Sequence, residues 1–240
     1  MNYQKISFDS SNTRLIGNLF SSKSLESPGI LLIHGGGEAT KERLLPLQEY
    51  LFQQNINSFD FDMRGVGESG GKFEDGSLNM RFEDAKAALN FLVKNNYFNE
   101  DKISIGGSSL GGHITVKLAS EYKGIQSLLL YCPAAYSKEA EDRKLNEEFA
   151  KVIRVSGSWK RSPAFEYVKN FKGKILVIYG QEDEVIPGEV KRMYKKSLKK
   201  SDEFIVLRRI GHSLLNPSST VEKKAFENLM NKTSKFLQVC

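Results

Sequence analysis

A serine set in a run of glycines is the residue best suited to chemistry in this 240-residue chain. Gly106-Gly107-Ser108-Ser109-Leu110-Gly111-Gly112 follows the apolar stretch Ile103-Ser104-Ile105 and precedes a helical pattern. Ser109 thus falls at the centre of G-x-S-x-G on a predicted strand-to-helix turn. Such a turn is sharp and strained, and a Cβ at Gly107 or Gly111 would collide with neighbouring backbone. A serine hydroxyl becomes a nucleophile for acyl transfer only when a base takes its proton and a third group orients that base. The chain holds three histidines. His113 lies on the predicted helix that follows Ser109 and points along it, and His34 opens a second glycine run. That leaves His212, in Gly211-His212-Ser213 after a strand-like run from Glu203 to Ile210, as the base.

Acyl transfer also needs donors aimed at the developing oxyanion. His34-Gly35-Gly36-Gly37 follows the apolar run Gly29-Ile30-Leu31-Leu32-Ile33 and resembles an HGGG-type oxyanion loop. Gly36 is the expected first donor, with Gly37 as its alternative, and the N–H of Leu110, next after the nucleophile, is the second. Both are backbone groups, which is why glycine rather than a particular side chain is found there. A third segment, Asp60-Phe61-Asp62-Met63-Arg64-Gly65-Val66-Gly67-Glu68-Ser69, fits D-x-R-G-x-G-x-S, with Asp62 and Arg64 expected as a charged pair that fixes its loop.

With these motifs in this order, the chain resembles the α/β-hydrolase superfamily. Within it, the resemblance is to small bacterial carboxylesterases related to cinnamoyl and feruloyl esterases and to serine aminopeptidase-like hydrolases. The resemblance implies a catalytic acid between the serine and the histidine in chain order. The strand-like run Lys174-Ile175-Leu176-Val177-Ile178-Tyr179 ends at Gly180, and Asp183 follows on a loop closed by Pro187, so Asp183 is assigned by position with Glu182 in reserve. The implied activity is hydrolysis of a small to medium carboxylic ester through Ser109, His212 and Asp183 by way of an acyl-enzyme. A peptidase, amidase or thioesterase would use the same apparatus, and a non-catalytic hydrolase-fold binding protein is the alternative from another class. The chain departs from many such relatives in lacking a bulky residue after His-Gly, where it has Gly36 and Gly37 and then Glu38. Gly37, Glu38 and Trp159 are expected in the substrate pocket.

The elements that must position these residues read as one α/β domain, with no Gly/Ser/Pro-rich linker dividing it. Strand-like runs lie near residues 3–8, 13–20, 29–33, 56–62, 102–105, 125–131, 174–179 and 203–210, with helical patterns including 82–94 and 110–122 between the later ones. Alternation of this kind predicts an eight-stranded, mostly parallel sheet with helices on both faces. The first two runs bracket Asp9-Ser10-Ser11-Asn12 and predict an antiparallel hairpin at one sheet edge. The sixth and seventh runs are separated by about forty residues, more than one crossover helix needs. Residues 134–170 are therefore expected to form a small cap insertion, with a charged helix over 137–155 and the aromatics Trp159, Phe165 and Tyr167.

Composition bounds the setting. Formal charge is +6 and pI near 9.1. The basic run from Lys191 to Lys200 reads as a solvated helix face opposite Val190, Met193 and Leu198. No nucleic-acid motif or interleaved aromatics accompany it, so neither a nucleic acid nor a stable membrane partner is expected. Cys132 and Cys240 form no disulfide framework, and no leader pattern or long apolar run is present, which predicts a soluble cytoplasmic protein. Cys132 reads as a small core residue. No metal-ligand spacing and no nucleotide fingerprint implies a cofactor; the expected partner is a small-molecule acyl substrate. Nothing in the chain indicates an oligomeric state.

Overall fold

Ile30-Leu31-Leu32-Ile33 is apolar at every position because its strand is buried on both faces, the pattern of a parallel sheet covered by helices. The computed structural model describes residues 3–22, 24–37, 39–215 and 220–239. These form one eight-stranded sheet from β1 (Gln4–Ser10), β2 (Thr13–Phe20), β3 (Gly29–Ile33), β4 (Asn57–Phe61), β5 (Ile103–Ser108), β6 (Ile125–Tyr131), β7 (Lys174–Gly180) and β8 (Glu203–Leu207). Helix α1 (Leu45–Gln53) lies between β3 and β4, α2 (Leu78–Lys94) between β4 and β5, and α3 (Leu110–Glu121) between β5 and β6. Then α4 (Glu147–Ile153) and α5 (Ala164–Asn170) precede β7, α6 (Gly188–Ser197) precedes β8, and α7 (Thr220–Gln238) ends the chain.

Strand order is β1-β2-β4-β3-β5-β6-β7-β8. Pairing from β4 to β8 is parallel, and β1 and β2 add antiparallel at one edge. The hairpin register runs to Ser10 opposite Thr13, so its turn is the pair Ser11-Asn12. Both residues have positive φ, 45° and 62°, as a type I′ turn requires. From β3 the chain passes first to β4 on one side and later to β5 on the other. That is the switch point of the sheet, where a crevice opens beyond the carboxyl ends of the strands.

Two expected elements are shorter than their patterns. The eighth strand stops at Leu207 rather than residue 210, because Arg209 turns the chain with φ 57°. The charged helix expected over 137–155 is α-helical only over Glu147–Ile153, where Asn146 caps it by accepting from Glu148 N–H at 2.8 Å. Its upstream part is a short 3-10 turn tied to α2 and α3 instead. Glu141 forms a buried ion pair with Lys117 at 2.8 Å, Asn79 N–H donates to Glu141 O, and Leu145 N–H to Gly76 O. Among the described residues no helix is long and apolar enough to cross a membrane.

Candidate active site

Ser109 stands between the last residue of β5 and the first of α3 with φ 53° and ψ −115°, a backbone state costing about 1–3 kcal/mol. Its neighbours hold it there. Its N–H donates to Tyr131 O at 2.9 Å, and its carbonyl accepts from Gly112 and Ala134 N–H, both at 3.0 Å. The glycines around it are dictated by close approach. A methyl on Gly107 would overlap the Gly111 carbonyl and the Thr115 hydroxyl, and one on Gly111 would overlap the carbonyls of Ile33 and His34. Leu110 opens α3, so its N–H has no carbonyl partner within the helix and is free to serve another acceptor.

His212 reaches the same place from the loop after β8. A cavity of about 110 Å³ is lined by Ser109, His212, Gly35 and Gly36, closed by Leu44, Leu214 and Leu215, and carries the exposed Arg43 on its wall. The Ser109 hydroxyl is not hydrogen-bonded to His212 in this structure, as is common in ligand-free sites. Behind His212 its Nδ1 lies 3.0 Å from Asp183 Oδ1, which also accepts from the N–H groups of Val185 (3.0 Å) and Ile186 (3.1 Å). Burial alone would raise the Asp183 pKa, but the hydrogen bonds from His212 and Ile186 outweigh it and hold the carboxyl below its usual range. Glu182 is exposed and takes no part. Lys191 donates to the Asp183 carbonyl at 2.5 Å, with its ammonium 3.8 Å from Asp183 Oδ2. One member of the basic run thus braces the Asp183 loop.

Cys132, Asp183 and His212 place their sulfur, oxygen and nitrogen atoms within 4.8 Å of one another, the one cluster with metal-ligand proximity among the described residues. The pair already uses the facing atoms of Asp183 and His212, and the Lys191 ammonium opposes a second cation there. Burial, reinforced by the Asp183 charge, pushes the Cys132 thiol well above its usual pKa and keeps it protonated.

The oxyanion-type loop is held by two clamps from the segment after β4. Buried His34 accepts from Met63 N–H through Nε2 at 3.1 Å, so its proton is on Nδ1, which donates to Gly35 O at 2.7 Å. Asp62 accepts from both the N–H (2.9 Å) and the ammonium (2.7 Å) of Lys41, whose ammonium also meets Glu68 at 2.8 Å. Asp62 and Arg64 are therefore not paired with each other. Arg64 instead grips Asp84 on α2, with its Nε 3.0 Å from each carboxylate oxygen. Sequence reading missed Lys41 and Asp84 because each lies about twenty residues from its partner with no local pattern to link them.

Two expected pocket residues fall elsewhere. Gly37 lines a separate hollow beside Val66 and Phe73, because the loop turns at Gly37 with φ 65°. Trp159 packs against the core with its indole N–H enclosed and does not line the Ser109 cavity, nor does any other residue of the 134–170 segment. Glu38 lies outside the described residues. The cavity residues Arg43, Leu44, Leu214 and Leu215 carried no signal beyond adjacency to the motifs.

Two buried histidines set an acid limit on stability. Burial, with the nearby Arg81 charge, lowers His34 to about 4, and burial with Lys117 lowers His113 to about 3. An unfolded histidine takes up its proton near 6.5, so between that pH and about 4 the unfolded chain binds more protons. The stability present above pH 6.5 is lost as pH falls, by about 2 kcal/mol per histidine at pH 5. Thermal melts at pH 7.5 and 5 should show a lower midpoint in acid, and His34→Gln should flatten the difference. An equal fall in both proteins would refute the assignment.

The sequence profile described as serine aminopeptidase, S33 matches residues 27–163. A multifunctional-autoprocessing repeats-in-toxin protein of Vibrio vulnificus is 33% identical over 150 residues, 60% of this chain and 3% of the toxin. The chain thus spans only a small part of that relative's length. Among solved structures, Est1E from Butyrivibrio proteoclasticus with ferulic acid bound superposes with TM-score 0.73 at 20% identity, covering 95% of this chain and 99% of that one. The Pyrococcus furiosus esterase Pf2001 gives 0.70 at 19%, covering 98% and 91%. At such identities these two establish the fold alone. The profile match, over more than half the chain and including the Ser109 elbow, shows that the protein belongs to the serine aminopeptidase S33 family of the α/β-hydrolase superfamily.

Proposed function

We propose that this hydrolase cleaves a small to medium carboxylic ester by two-step acyl transfer through Ser109, His212 and Asp183. The observation that carries the reading is the Asp183–His212 pair, joined at 3.0 Å and opening into the cavity that the strained Ser109 turn also lines. Asp183 holds the imidazole with its proton on Nδ1, which leaves Nε2 free to take the Ser109 proton. Ser109 Oγ then attacks the carbonyl, and the N–H groups of Gly36 and Leu110 receive the oxyanion. His212 returns the proton to the leaving alcohol. Water, deprotonated by His212, repeats the attack on the acyl-enzyme and frees Ser109.

A second reading, aminopeptide cleavage, draws on the family description. The charged side chain on the cavity wall is Arg43, and a cation there repels a substrate ammonium, which favours the ester. The two separate in a paired assay. The kcat/KM for 4-nitrophenyl butyrate is expected to exceed that for alanine 4-nitroanilide by at least about a hundredfold. The reverse order would replace the ester reading with the peptidase one.

A further inference from the structure

Arg81, in the first turn of α2, is the most anomalous side chain outside the triad. It has no exposed surface, and none of its three guanidinium nitrogens has a hydrogen-bond partner. A guanidinium presents five N–H donors, so this is a large unmet demand for an acceptor. The neighbouring carboxylate cannot meet it, because Asp84 is occupied by the side chain and N–H of Arg64. Desolvation accordingly lowers Arg81 to about 10, with Asp84 opposing the shift. Its guanidinium lies over the Phe73 ring, with Cζ 5.2 Å from the ring centroid.

That ring gives the arginine an approach. Phe73 is half-buried and lines a hollow of about 410 Å³ with Gly37, Thr40, Gly65, Val66 and Gly67. Gly37 and Thr40 belong to the loop whose Gly35, Gly36 and Ala39 line the Ser109 cavity, so the two spaces share one wall. Phe73 belongs to a three-residue 3-10 turn outside the sheet.

Building on the ester-hydrolase reading, we infer that Arg81 is an anion-binding residue that receives, past Phe73, the free carboxylate of an ester substrate. The substrate class is then a half-ester of a dicarboxylic acid or an equivalent carboxylate-bearing ester. Its scissile carbonyl sits at Ser109 and its carboxylate crosses the Gly36-Gly37 rim. Arg43 on the wall of the catalytic cavity adds charge of the same sign along that path.

Binding is tested first without turnover, at fixed ionic strength. Glutarate should raise the melting temperature of the wild type more than the neutral glutaramide, and Arg81→Met should abolish the difference. Equal effects of the two ligands on the wild type, or an undiminished difference in Arg81→Met, would overturn the inference. Turnover supplies the second readout. The kcat/KM ratio of 4-nitrophenyl hemiglutarate to 4-nitrophenyl valerate should fall at least tenfold in Arg81→Met and rise at least threefold in Phe73→Ala, which uncovers the arginine. Should Arg81→Met fail to fold, Phe73→Ala decides: an unchanged ratio overturns the inference. If neither ester is hydrolysed, the ester-hydrolase reading fails, while the glutarate melt still judges the anion site.

Discussion

Ser109→Ala is expected to reduce kcat/KM for 4-nitrophenyl butyrate by about 10⁶-fold, the scale at which loss of a serine nucleophile leaves only binding and oxyanion stabilisation. The change removes one oxygen from a half-buried position and none of the three backbone hydrogen bonds that hold the turn, so the melting temperature should stay within about 2 °C of wild type. Ser108 also borders the cavity, and Ser108→Ala is the matched control, expected to keep activity within about threefold. Residual Ser109→Ala activity above about 1% of wild type would place the nucleophile elsewhere.

Asp183→Asn should lower kcat by about 10⁴-fold while the protein remains folded. Oδ1 of Asp183 accepts three N–H groups, two of them backbone donors from Val185 and Ile186 that fix the loop. An asparagine that keeps its carbonyl on those two donors also keeps that oxygen on His212 Nδ1, but it carries no negative charge. The imidazolium that forms when His212 takes the Ser109 proton then lacks its counter-charge, so the base is weakened though the geometry is kept. Glu182→Gln, at an exposed position, should keep activity within about twofold. Steady-state rates of the two variants side by side decide the assignment, and the opposite ranking would make Glu182 the acid.

The parts of the site visible in the sequence are those set by backbone geometry. Gly107 and Gly111 mark the elbow because any side chain there meets main-chain atoms, and the five central strands β3 to β7 follow from runs that parallel pairing buries on both faces. Asp183 was legible by its position after the seventh strand, but Glu182 and Glu184 are chemically similar neighbours, and only the turn decides which one faces inward. The clamps were hidden for a related reason. Lys41–Asp62 and Arg64–Asp84 join residues about twenty positions apart, and burial, which makes such pairs matter, has no signature in a charged residue read alone. Arg81, buried on α2, likewise carries no local sequence signal of its burial. Trp159 misled because an aromatic residue suits a pocket and a core equally, and here it packs on the core.

The most direct measurement is covalent labelling of the folded wild-type protein with a fluorophosphonate, followed by mass spectrometry of the digested chain. The Ser109 oxygen, activated by His212, should take one phosphonyl group per chain, with the adduct mapped to the peptide containing Ser109 and absent from Asp183→Asn on the same timescale. An unlabelled Ser109, or label distributed over other serines at equal rates in wild type and Asp183→Asn, would contradict an activated serine at the elbow.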